Sequence, residues 1–255
     1  MPDSDSALAD QPQLEQWAEV YLNHRLSAEE FLERIDRLLA DRDLFPPEAI
    51  FQLGSTLGTR LENSPGPAVD LTLKLMSSDV RATRAIAVGV LHRLARFQPG
   101  FWTDAARHLI TDSDWEVRDI AARVFDDWNG EDGAAEFHLS FVVDVVRDWV
   151  QDSDERVRRA ASQALLGYAA RHPEFRSQLL EILDPLLTDE REYVRHSLAA
   201  ALRILGRSDP PFVMDYLELV AASNHEPAKE IVKLVLDHSF ADRLPDRKAE
   251  LLRRL

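Results

Sequence analysis

Eight side chains at helical positions could hold an anionic partner: Arg84, Arg118, Arg158, Arg159, Arg195, His196, Arg203 and Lys229. Cations gathered along one surface raise the local concentration of a negatively charged ligand. Other chemistry is poorly provided for. The histidines are His24, His92, His108, His138, His172, His196, His225 and His238. None is paired at i, i+4 around a glutamate, so a zincin-type metal helix is excluded. His followed by Glu occurs once, at His225-Glu226. The chain has no cysteine, which excludes disulfides and thiolate metal sites. Gly-x-x-x-x-Gly-Lys, Gly-x-Gly-x-x-Gly and Gly-x-Ser-x-Gly are all absent, and nine glycines leave little material for phosphate-cradling loops. Neither a cofactor nor a metal is expected.

Most of the cations belong to a phrase that recurs. It reads Asp112-Ser-Asp-Trp-Glu-Val117-Arg118, then Asp152-Ser-Asp-Glu-Arg-Val157-Arg158, then Asp189-Glu-Arg-Glu-Tyr-Val194-Arg195. A degenerate copy is Asp79-Val-Arg-Ala-Thr83-Arg84, and a weaker one falls at Ala228-Lys229. The successive spacings are 34, 40, 37 and 34 residues. Self-similarity at such a period marks a repeat architecture. After each phrase an apolar stripe follows i, i+3, i+4, i+7, i+8, as in Val157, Ala160, Ala161, Ala164, Leu165 and Tyr168, or Val194, Ser197, Leu198, Ala201, Leu202 and Leu205. That is one face of an α-helix. Before each phrase runs a second apolar helix, such as 141–150 or 179–187, and the intervening Asp residues are good N-caps. The unit is therefore helix A, an Asp-rich turn, and helix B. Alanines such as Ala160, Ala161, Ala164, Ala199, Ala200 and Ala201 let B helices approach closely. Such a unit cannot bury its apolar face alone, so neighbours must stack.

Helix A, an Asp-x-x-x-x-Val-Arg turn and an Ala-rich helix B resemble HEAT repeats, over roughly residues 67–238 in units of about 34–47 residues. The resemblance implies an all-α fold, a right-handed α–α superhelix of about five helix pairs with helical caps. It also implies that B helices line the concave surface, which would make Arg84, Arg118, Arg158, Arg159, Arg195, Arg203 and Lys229 a basic stripe along the inner curve. It implies a competing role as well. In HEAT repeats the arginine after valine pairs with turn aspartates of adjacent repeats, which would make Arg118, Arg158 and Arg195 a structural ladder neutralised by Asp114, Asp154 and Asp189. Arg84, Arg159, His196 and Arg203 then remain as the candidates for ligand contact.

A second resemblance is narrower. The stretches 114–122 and 189–203 look like bacterial DNA alkylation-repair proteins built from HEAT-like repeats. In that group an aromatic residue and a carboxylate at Trp-x-x-x-Asp spacing face the lesion. The carboxylate stabilises positive charge on the sugar as the base departs. Trp115 and Asp119 have that spacing, one helical turn apart and on one face. Where the glycosylases tend to carry a tryptophan, this chain has Ala200, and the helix bearing Trp115 has a charge balance of −2.

The net charge is −15, which argues against nucleic acid as the first choice of partner. Residues 1–66 hold −8 of that, whereas the five B segments together carry +6. The first 66 residues lack the phrase but look helical, with a capping-box start at Ser27-Ala-Glu-Glu30, and read as an acidic N-terminal cap continuous with a repeat domain at 67–255. A separate partner-binding domain is the alternative for 1–66. Past Phe240 a short polar helix is expected to close the other end. Trp17, Trp102, Trp128 and Trp149 fall at core positions. With no targeting signal and no run of 18 apolar residues, a cytoplasmic protein is expected. The sequence thus favours a non-catalytic scaffold holding a protein segment or anionic polymer against its B helices, with no membrane partner. A DNA alkylation-repair protein, glycosylase or silent DNA-binding relative, is the alternative, and an assembly role for residues 1–66 is a third.

Overall fold

Each apolar stripe becomes the buried side of a helix, and the helices pair because a helix cannot cover its own stripe. The computed structural model describes residues 11–40, 47–94, 99–122, 124–125, 135–223 and 225–255. Regular structure among them is helical throughout. The chain forms two compact units, residues 1–124 and 125–255.

In the first unit α1 (Gln11–Leu22), α3 (Pro47–Leu61), α5 (Arg81–Leu94) and α7 (Trp115–Ala121) lie side by side as one row. The helices α2 (Ala28–Leu39), α4 (Pro65–Met76) and α6 (Pro99–Ile110) pack behind them. Helix α2 starts at Ser27, where the capping box forms: Glu30 N donates to Ser27 Oγ at 3.2 Å and Ser27 N to Glu30 Oε2 at 2.9 Å. Helices α3 and α5 meet backbone to backbone. A Cβ on Gly54 would stand 2.1 Å from the Ile86 carbonyl oxygen, and one on Gly89 2.3 Å from that of Phe51. Helix α5 is consequently buried nearly all round, from Ala82 and Thr83 through Ala85–Leu91.

In the second unit α9 (Glu155–Ala161), α12 (Glu192–Ser208) and α14 (Glu226–Leu236) form one row. Behind it stand α8 (Ala135–Trp149), α11 (Arg176–Leu183), α13 (Pro210–Ala221) and α15 (Pro245–Arg254). Two segments read as single helices are broken. The B segment after Asp154 is divided into α9 and α10 (Leu166–Arg171). There Ser162 Oγ donates to the Arg159 carbonyl at 2.7 Å, a local bond that competes with the helical ladder. The A segment turns from α11 into a 3₁₀ stretch, Asp184–Thr188, at Pro185, which has no N–H and crowds the carbonyl one turn back. The stripe residues are buried as expected, Val157, Ala160, Ala161, Val194, Leu198, Ile231 and Val235 among them, while Tyr168 is half-buried. Each fully buried Leu, Ile or Val contributes about 1.5–3 kcal/mol. Trp102 and Trp149 are core residues. Trp17 is half-buried, with the Arg34 guanidinium 5.8 Å from its ring centroid. Trp128 and the side chain of His138 lie outside the described residues. No helix among the described residues is long and apolar enough to cross a membrane.

Candidate functional site

The arginine of each phrase does the same thing four times. Its Nη1 donates to the two carbonyls six and five residues back, closing the turn between helices A and B. Arg84 reaches Ser78 O at 2.9 Å and Asp79 O at 3.3 Å. Arg118 reaches Asp112 O at 2.8 Å and Ser113 O at 2.9 Å. Arg158 reaches Asp152 O at 2.9 Å and Ser153 O at 3.1 Å. Arg195 reaches Asp189 O at 3.0 Å and Glu190 O at 2.8 Å. For Arg84, Arg158 and Arg195 the remaining fork extends to a carboxylate one repeat on. Arg84 binds Asp112 at 2.8 and 3.1 Å, Arg158 binds Asp189 at 2.5 and 3.2 Å, and Arg195 binds Glu230 at 2.9 Å. Only a planar guanidinium can serve both turns at once.

This ladder differs from the sequence expectation in two ways. Its carboxylates are Asp112, Asp189 and Glu230, whereas Asp114 and Asp154 are N-caps, accepting from Glu116 N and Arg156 N at 2.9 Å each. Arg84, expected outside the ladder, is a full member of it. The degenerate first copy hid this, because Ser78 rather than Asp79 stands six residues before the arginine. Burial works to raise the Asp112 and Asp189 carboxyls. The hydrogen bonds from Arg84 and the Asp114 amide, and from Arg158 and the Arg191 amide, outweigh it and hold both below the usual carboxylate value.

The other cations are placed individually. The Arg159 guanidinium lies 5.2 Å from the centroid of the half-exposed Tyr193 ring, a cation–π distance. Exposed His196 stands 3.4 Å from Glu192, one turn earlier. Arg203 is spent on the backbone, donating Nε and Nη2 to the Leu234 carbonyl. Lys229 lies 3.4 Å from Glu226. Among the described residues no group of three or more His, Asp or Glu could hold a metal ion.

Trp115 and Asp119 lie in the first unit. Helix α7 turns Val117, Ile120 and Ala121 to the core. At 100° per residue this leaves Trp115 and Asp119 together on the opposite side. Trp115 is 58% exposed and Asp119 is half-buried. Between them Glu116 is buried and forms an ion pair with Arg81 of α5. The residues following the ladder arginines are Ala85, Asp119, Arg159 and His196, so the position of Asp119 is occupied by Arg159 and His196 in the next two repeats. Ala200, in the second unit, is half-buried on α12. Arg81 and Glu116 were not singled out from the sequence. Aligning the repeats residue by residue places Arg81 in register with Trp115, and that was the available signal.

A model of a family described as DNA alkylation repair enzyme matches residues 54–232. Two solved structures from Streptococcus mutans share the fold. AlkD2 has TM-score 0.66 and 19% identity over 83% of this chain and 98% of that one. The protein smu.31 has TM-score 0.63 and 20% identity over the same shares. No curated protein matches. The family match overturns the expectation of a scaffold for a protein segment or anionic polymer and favours the alternative, a DNA alkylation-repair protein. That expectation rested on net charge and on repeats that binding proteins share with repair enzymes, and neither separates the two classes.

Proposed function

Because the chain belongs to the DNA alkylation repair enzyme family, we propose that it acts on alkylated duplex DNA, with Trp115 and Asp119 as the residues that meet the lesion. The observation that carries this reading is the outward face of α7, where a 58% exposed indole and a carboxylate stand one turn apart, turned away from the core. An indole this exposed offers a flat surface to a nucleotide. An alkylated purine carries positive charge and leaves with the electron pair of its bond to C1′. The sugar then becomes electron-poor, the Asp119 carboxylate stabilises it, and water adds at C1′.

The test is base release from duplexes containing N7-methylguanine or N3-methyladenine. Asp119→Asn is expected to lose at least about 100-fold in rate, the usual cost of removing one electrostatic stabiliser. Trp115→Ala is expected to lose both binding and rate. Equal rates for wild type and Asp119→Asn would sink the role given to the carboxylate. Ala200, where the resemblance implies a tryptophan, supports a second reading, binding of damaged DNA without base release. Wild-type binding with no release selects that reading.

A further inference from the structure

The Arg81–Glu116 pair next to Trp115 has a side that the fold does not use. Arg81 is the exposed first residue of a helix otherwise buried almost all round. Its guanidinium is ion-paired with Glu116, the residue adjacent to Trp115. The pair is lopsided: the Glu116 side chain is 10% exposed and that of Arg81 45%. The carboxylate thus anchors the guanidinium from below, while further N–H donors of Arg81 remain open to solvent. Arg81 has no part in the ladder, whose member on this helix is Arg84. It lies three residues before Arg84, as Trp115 lies three before Arg118, so the two stand at the same place on neighbouring helices of one row.

We propose that Arg81 is a phosphate-binding residue, held by Glu116 to grip the DNA backbone beside the nucleotide that Trp115 meets. This rests on the DNA reading above. A fork fixed at one nitrogen presents its other donors in a set direction and loses little freedom on meeting a phosphate. Such a contact positions the duplex without reading its sequence.

The experiment is binding of a fluorescent duplex, undamaged and methylated, over a series of salt concentrations. The proteins are wild type, Arg81→Gln, Arg81→Lys and Glu116→Gln, each with its melting temperature. Arg81→Gln is expected to weaken both duplexes alike and to reduce the slope of log affinity against log salt by about 0.9, the value for one lost phosphate contact. Arg81→Lys is expected to keep the slope, and Glu116→Gln to keep or steepen it, since the guanidinium remains and loses its competing carboxylate. A purely structural ion pair predicts otherwise: Arg81→Gln and Glu116→Gln would lower the melting temperature together and leave the slope alone. An unchanged slope in Arg81→Gln overturns the inference by itself. A wild type that binds no duplex even at low salt overturns the DNA reading along with it.

Discussion

A guanidinium that closes its own turn and holds the next one is costly to remove. Arg158→Gln leaves the Asp189 side chain, 6% exposed, with the Arg191 amide but without its charge partner. Removing one member of a buried pair costs about 3 kcal/mol, and urea unfolding is expected to show that loss. Arg158→Lys recovers only part of it, because an ammonium cannot serve two turns. A loss under about 0.5 kcal/mol, typical of a surface site, would contradict the ladder. The same residues set an acid dependence. The Asp112 and Asp189 carboxyls are lowered on folding from 3.8. A carboxyl lowered in the folded state contributes stability that is full above its unfolded value and lost as pH falls through the folded one. The melting-temperature gap between wild type and Asp189→Asn is therefore expected to be flat from about pH 5 upward and to close below 3.8. A gap unchanged in acid would mean that the carboxylate charge is not what stabilises the turn.

At the scale of elements, the contact of α3 with α5 inverts ordinary helix propensity. Gly→Ala inside a helix normally stabilises by about 1 kcal/mol. Gly54→Ala and Gly89→Ala are expected to destabilise by about 1–3 kcal/mol, because the added methyl meets backbone that has no room to move. Gly100→Ala on α6 meets nothing within 4 Å and is expected to be neutral or slightly stabilising. Thermal melts of the three variants check the contrast. The period-3.6 stripes made these helices legible, and Pro185 was a visible warning of the break that follows α11. The break after α9 was not legible: Ser162 bonds the Arg159 carbonyl and also meets Ser197 of α12 at 2.8 Å, a partner 35 residues away that the local pattern does not reveal.

At the scale of the molecule, stability in stacked repeats is a sum of nearest-neighbour terms. Gly54→Ala is thus expected to raise amide exchange in α3 and α5 while α12 and α14 keep their protection. A uniform rise through both units would show a single cooperative structure instead. The net charge of −15 did not decide the class of partner, since it averages over surfaces that face different ways. What a ligand meets is the local set of uncompensated charges. The ladder removes Arg84, Arg158 and Arg195 from that set, and the Leu234 carbonyl engages Arg203.

By itself the sequence determined that helices form, how they pair, and where Trp115 and Asp119 sit on one of them. Periodicity and capping are local, and a repeated phrase states them several times over. Only the tertiary structure decided which arginines are committed to neighbouring turns and which carboxylates hold them, and that Arg81 stands over a buried Glu116. Those partners lie about 30 residues apart in the chain, one repeat on, and the choice between Asp112 and Asp114 depends on the turn that orients them. A pattern of residue types marks where charge is available, but burial and the distance to a partner decide whether any is left for a ligand.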